Sequence, residues 1–267
     1  MIVANPDFGG AANAGPATAR DFKLKYQRGS QVATADSFTL ANAYFPPLPG
    51  TAGEARALKA LLPGVTVLTG AQATEAALKQ MSSPDVLHIA THGFFLSDLT
   101  AGNGEGRELK QVGSSSEMPV NQQIENPLLR SGLALAGANL HKSGENNGVL
   151  TALEAAGLDL WGTKLVALSA CDTGVGEVKS GDGVYGLRRA LVLAGSESQV
   201  MSLWPVSARG TRDLMIKYYQ ARQKGVGRSA ALREVQLGLL KRKERQHPYF
   251  WASFIQSGEW ANLKGKR

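Results

Sequence analysis

A single cysteine, Cys171, stands in the whole 267-residue chain, so no disulfide can brace the fold from within and its stability has to come from burial. A lone thiol accompanied by four histidines admits two readings: a small buried hydrophobe, or a nucleophile activated by an imidazole. Apolar runs are short. Nothing approaches the roughly 18 residues that cross a bilayer, and no basic-then-apolar leader with a small-residue cleavage site is visible, so a cytoplasmic chain free of membrane is expected. Phosphate loops are missing too. No GxxxxGK[ST] occurs, and Gly174-Val175-Gly176 lacks the partner glycine of a dinucleotide fingerprint, which argues against a nucleotide-binding protein. His88 and His92 would lie roughly 13 Å apart on one face of a strand. His141 and His247 are isolated from any cysteine or carboxylate cluster at ligand spacing. No metal and no cofactor are therefore expected, and His88 reads as a satisfied core histidine. There is no internal repeat.

Charge is present but uneven. Residues 206–267 carry 14 Lys/Arg against 4 Asp/Glu, leaving 15 against 18 in the rest of a chain whose net charge is +7. Lys241, Arg242, Lys243 and Arg245 form a cluster that reads as a solvated helix end. No aromatic residues are interleaved through it as a base-stacking surface requires, so direct nucleic-acid binding is not expected.

The remaining sequence alternates apolar, β-branched runs with helical patterns, which predicts an α/β fold around a largely parallel sheet of about six strands. Residues 2–4, 65–68, 86–91, 132–135, 165–170 and 199–204 read as strands. Residues 54–62, 74–81, 150–156, 183–194, 210–222 and 229–243 read as helices, the last with Ser229 as its N-cap. Residues 96–131 lack periodicity, are rich in Gly, Ser and Asn, and read as a long mobile loop at the C-terminal edge of the sheet, where open α/β folds place ligands.

Two segments share one design, an apolar strand running into a reactive residue and a Gly-containing turn: Val86 to His92-Gly93, and Leu165 to Cys171-Asp172-Thr173-Gly174. On neighbouring parallel strands, His92 and Cys171 would meet at one sheet edge as base and nucleophile. The imidazole would favour the reactive thiolate. The backbone N–H groups of Gly93 and Cys171 are the candidate oxyanion donors. Trp204 closes an apolar run and packs in the core on that reading, and Asp172 either orients backbone N–H groups or caps its turn.

The strings LHIATHGFF, LVALSACDTGVGEV, GDGVYGLRRALVLAG, SQVMSLWPV and HPYFWASFIQSGEW, with PLPGTAGEARAL before them, resemble successive blocks of the CHAT family, relatives of caspases and separase. The resemblance implies a three-layer α/β/α sandwich and a single peptidase domain over residues 1–267. It also implies a cysteine endopeptidase with His92 and Cys171 as catalytic dyad and a protein or peptide as substrate. Family members are chiefly bacterial, and they carry earlier strands and often helical repeats, so the chain resembles a domain truncated at its N-terminus. An activating partner or an upstream repeat or sensor domain is expected, gating the site through loop ordering. Where relatives place acidic residues that recognise a basic residue before the cleaved bond, this chain has Ser207 and Ala208. Asp172 or Asp182 is the alternative acid, with Ser169 and Trp204 as further pocket candidates. The rival reading is a non-catalytic interaction module of the same fold.

Overall fold

A computed structural model describes residues 1–10, 43–95, 127–170, 182–204 and 208–264. In chain order the elements are β1 (Ile2–Pro6), α1 (Pro49–Leu61), β2 (Val67–Gly70), α2 (Glu75–Lys79), β3 (Val86–Ala90), β4 (Gly93–Phe95), β5 (Ser131–Ala134), β6 (Val149–Thr151) and α3 (Ala152–Ala155). There follow β7 (Leu165–Leu168), α4 (Asp182–Leu193), β8 (Ser198–Ser202), α5 (Ala208–Gln223), α6 (Arg228–Leu240), α7 (Pro248–Trp251) and β9 (Phe254–Gly258).

The main sheet has the order β2-β1-β3-β7-β8-β9. Its pairs are parallel except for β9, which runs antiparallel to β8. The strands are apolar on both faces because both faces are covered, as parallel sheets require. Alternate residues point to opposite sides. Ile2, Ala4, Ala90, Leu165, Ala167 and Val200 meet Ala55 and Leu58 of α1, Tyr218 and Tyr219 of α5, and Val235 of α6. Val3, Leu87, Ile89, Val166, Leu168 and Met201 meet Leu78 of α2, Ala155 of α3, and Leu187 and Leu191 of α4. The result is the expected three-layer α/β/α sandwich. Each buried Leu or Ile here contributes about 1.5–3 kcal/mol over exposure, so the two apolar layers hold the chain without a covalent brace. No helix among the described residues is long and apolar enough to cross a membrane.

The structure corrects several details. The predicted strand at 132–135 is β5, but it belongs to a separate three-stranded antiparallel sheet, β4-β5-β6, rather than to the main sheet. The sixth main strand is β9, an edge strand whose pattern fades from buried Phe254 to exposed Gly258 and so carries little apolar signal. Of residues 150–156, Leu150 and Thr151 complete β6, and the helix is one turn long with a capping box from Thr151 and Glu154. α6 begins at Arg228 with Gly227 as N-cap, so Ser229 already lies inside it. β8 stops at Ser202, leaving Trp204 beyond the strand. The loop expected over 96–131 ends earlier: Pro127–Leu129 form a 3-10 turn and Ser131 opens β5, while residues 96–126 lie outside the described residues.

Candidate active site

His92 follows β3 at the C-terminal edge of the main sheet, and the small sheet pins the backbone there. Thr91 Oγ1 donates to the Ala134 carbonyl at 2.5 Å, and Ala134 N–H donates back to the His92 carbonyl at 2.9 Å. The imidazole is 3% exposed. It packs against two phenyl rings that also touch each other, with centroids 5.2 Å from Phe8 and 5.8 Å from Phe45, and Phe94 packs against Phe45 at 6.3 Å. Its Nε2 is 2.7 Å from the Pro46 carbonyl oxygen. A carbonyl can only accept, so Nε2 carries the proton, and Nδ1 is the basic nitrogen of the neutral ring. That fixes which nitrogen can take a proton from a nucleophile.

The walls of the imidazole are themselves held by one amide. Asn139 Oδ1 accepts from Phe45 N–H at 2.8 Å. Its Nδ2 donates to the Phe45 carbonyl at 3.0 Å and to the Gly9 carbonyl at 2.9 Å. Asn139 N–H also donates to the Phe8 carbonyl. One side chain thus ties the segment after β1 to the segment before α1, and these supply Phe8, Phe45 and Pro46. Sequence reasoning passed over Asn139 and Pro46. The signal for Asn139 was its turn, between Gly137 at φ 88° and His141 at φ 46°; a backbone carbonyl such as that of Pro46 leaves no trace in residue type.

The second arm of the site comes up β7. Val86 to Ile89 pair in parallel with Leu165 to Leu168, and Ser169 N–H continues the ladder to the Ile89 carbonyl at 2.8 Å. One step further, a Cβ built on Gly93 would stand 2.9 Å from the Ala170 carbonyl oxygen, so glycine is needed for the two backbones to approach this closely. The residue after His92 and the residue before Cys171 are therefore in contact. Cys171 and Asp172 lie outside the described residues.

The other sequence candidates take separate places. Ser169 is 7% exposed, and its hydroxyl donates to Glu54 Oε1 of α1 at 2.7 Å. His88 is fully buried, with Nε2 3.0 Å from the same Glu54 oxygen and Nδ1 3.2 Å from the Tyr219 hydroxyl of α5, the satisfied core histidine that was expected. Glu54 was read only as the start of a helical pattern. Asp182 opens α4. Trp204 is half-buried just past β8, two strands along from β3, and its indole N–H donates to the Tyr249 carbonyl at 3.3 Å. Among the described residues no three His, Cys, Asp or Glu side chains gather as metal ligands.

Comparison with known proteins agrees with this architecture. Residues 1–259 match the profile of the CHAT domain. Tetratricopeptide repeat protein 28 of Mus musculus is 28% identical over 236 residues, which cover 81% of this chain and 9% of that protein. Its Homo sapiens counterpart is 27% identical over 225 residues, again 81% of this chain and 9% of the relative. The chain thus spans less than a tenth of the length of the curated relatives it matches. With the profile matched from the first strand through the last, the chain belongs to the CHAT domain family, a group related to the caspase-like peptidases.

Proposed function

We propose that the chain is a cysteine endopeptidase in which His92 and Cys171 form the catalytic dyad. The observation that carries the reading is the contact between Gly93 and the Ala170 carbonyl, because Cys171 is bonded directly to Ala170 and His92 directly to Gly93. The parallel register that pairs His88 with Ala167 and Ile89 with Leu168 supports it, since it runs both arms side by side toward the same edge of the sheet. In the proposed reaction His92 Nδ1 takes the thiol proton, the Cys171 thiolate attacks the scissile carbonyl carbon, and the oxyanion is held by the N–H groups of Gly93 and Cys171. His92 then returns the proton to the leaving amine, and water releases the acyl group from sulfur. The Pro46 carbonyl stabilises the imidazolium between these steps through Nε2–H.

Substrate is a protein or peptide. Asp172 and Asp182 are proposed as sources of negative charge in its pocket and Trp204 as an apolar wall. The name of the relatives refers to tetratricopeptide repeats, and this chain aligns with only 9% of them. We place a repeat-bearing region or sensor partner as the activator of the site.

The test is digestion of a diverse peptide library by the purified chain beside Cys171→Ala and His92→Ala, with products read by mass spectrometry. Cleavage abolished by both substitutions supports the dyad. Cleavage that survives either one, or a folded chain that binds partners and never cuts with an activator present, would move the assignment to the non-catalytic interaction module.

A further inference from the structure

Four buried polar side chains, from α1, β3, α5 and the residue just past β7, converge on the inner side of α1, none of them needed by the dyad chemistry. Glu54 is 2% exposed, His88 0%, Tyr219 2% and Ser169 7%. One set of protons satisfies them. The Tyr219 hydroxyl donates to His88 Nδ1, His88 Nε2–H donates to Glu54 Oε1, and Ser169 Oγ–H donates to the same oxygen at 2.7 Å. Burial, reinforced by neighbouring Tyr218 and Glu54, pushes the Tyr219 phenol well above its usual range, so it stays a donor.

Resting on the dyad reading, we infer that Glu54 is a positioning residue, which holds the strand end carrying Cys171 against the strand carrying His92 through its bonds to Ser169 and His88. The place of Ser169 is what carries this. The paired register of β3 and β7 ends at Leu168, and the last backbone bond between them that the described residues contain is Ser169 N–H to Ile89. Beyond that point the Ser169 side chain takes over, two residues before Cys171 and directly before the Ala170 carbonyl that abuts Gly93. His88 sits four residues before His92 on β3, so a single carboxylate oxygen reaches both arms of the site. If burial were all this spot required, apolar side chains of similar volume would serve as well or better. A buried carboxylate held by two hydrogen bonds, from His88 and Ser169, fixes direction, which an apolar cluster does not. Ser169, a pocket candidate on sequence grounds, thereby acts on the nucleophile's geometry and not on substrate.

The lone thiol makes this measurable without a substrate. Iodoacetamide alkylation of Cys171 in the intact chain, followed by mass from about pH 5 to about pH 9, reports thiolate formation and access at that one atom. Variants are His92→Ala, Ser169→Ala, Glu54→Gln and Tyr219→Phe, with Ser169→Thr as a rescue that keeps the hydroxyl, each checked by thermal melting. His92→Ala is expected to slow alkylation at neutral pH about tenfold. Ser169→Ala and Glu54→Gln are expected to slow it about three- to tenfold while folded, because sub-ångström displacement of a reacting group is costly. Ser169→Thr should restore the wild-type profile, and Tyr219→Phe should lower the melting temperature with the profile unchanged. Wild-type profiles in both folded Ser169→Ala and Glu54→Gln, with His92→Ala still slow, would overturn the positioning role and leave the dyad standing. A profile indifferent to His92→Ala would overturn both.

Discussion

Asn139 holds Phe45 and Gly9 with one amide, and every group it satisfies is buried or half-buried. Truncating it to alanine leaves the Phe45 N–H and carbonyl without partners in a dry place, which costs about 2–4 kcal/mol. Denaturant unfolding of Asn139→Ala should show that loss, with cleavage reduced further because the Phe8 and Phe45 walls and the Pro46 carbonyl would no longer fix His92. Gly93 is the opposite case, a residue whose value is what it lacks. The Cβ of Gly93→Ala would press on the Ala170 carbonyl oxygen at 2.9 Å. The strands at the dyad must then part, and we expect about a hundredfold drop in kcat for a stability loss of only about 1–3 kcal/mol. A rate unchanged in Gly93→Ala would show that the two backbones need not touch.

At the scale of elements, the small antiparallel sheet is the brace that the main sheet leans on at its C-terminal edge. It depends on Gly132, over which the Phe94 ring lies: an added Cβ would stand 2.5 Å from Phe94 Cζ and 2.6 Å from the Leu150 carbonyl oxygen. Backbone cannot yield as a side chain does, so Gly132→Ala should destabilise by more than about 2 kcal/mol, and hydrogen exchange should quicken first in β4 to β6. The one-turn α3 beside this sheet has an acid-sensitive foundation. Burial alone would raise the Glu154 carboxyl, but hydrogen bonds from Thr151 and Lys79 outweigh it and hold its pKa below the ordinary 4.5. A depressed folded pKa means the stabilisation is complete above about pH 4.5 and is lost as pH falls through the lower folded value. Melting curves of the wild type and Glu154→Gln should therefore separate near neutral pH and converge in acid. A constant gap across that range would contradict the assignment.

For the whole molecule, the legible part was what two buried faces impose. Runs such as Leu165-Val166-Ala167-Leu168 are apolar at every position because helices cover both sides, so the parallel core and its layers could be read directly. His92 was legible as a polar residue closing such a run before a glycine. The edges were not: β9 is half exposed, and β4 and β6 are three residues each, too short for a period to show. Nor were the groups that give His92 its direction, since the Pro46 carbonyl is backbone and Asn139 acts across 94 positions in sequence on Phe45. Glu54 was legible only as the start of a helical pattern, because only the docked helix shows that positions 51, 54, 55 and 58 are buried. The basic cluster at 241–245 is mostly exposed at the end of α6, with Arg245 Nη2 3.6 Å from Asp213 of α5, as a solvated helix end would be.

We propose that Cys171 attacks peptide carbonyls with His92 as its base. The most direct test is to acid-quench the chain within its first turnovers on a cleaved peptide and weigh it intact. A mass increment equal to the peptide's acyl half is expected, mapped to Cys171, absent in Cys171→Ala and formed far more slowly in His92→Ala. Cleavage that proceeds with no adduct on Cys171, or an adduct whose rate ignores His92, would contradict it.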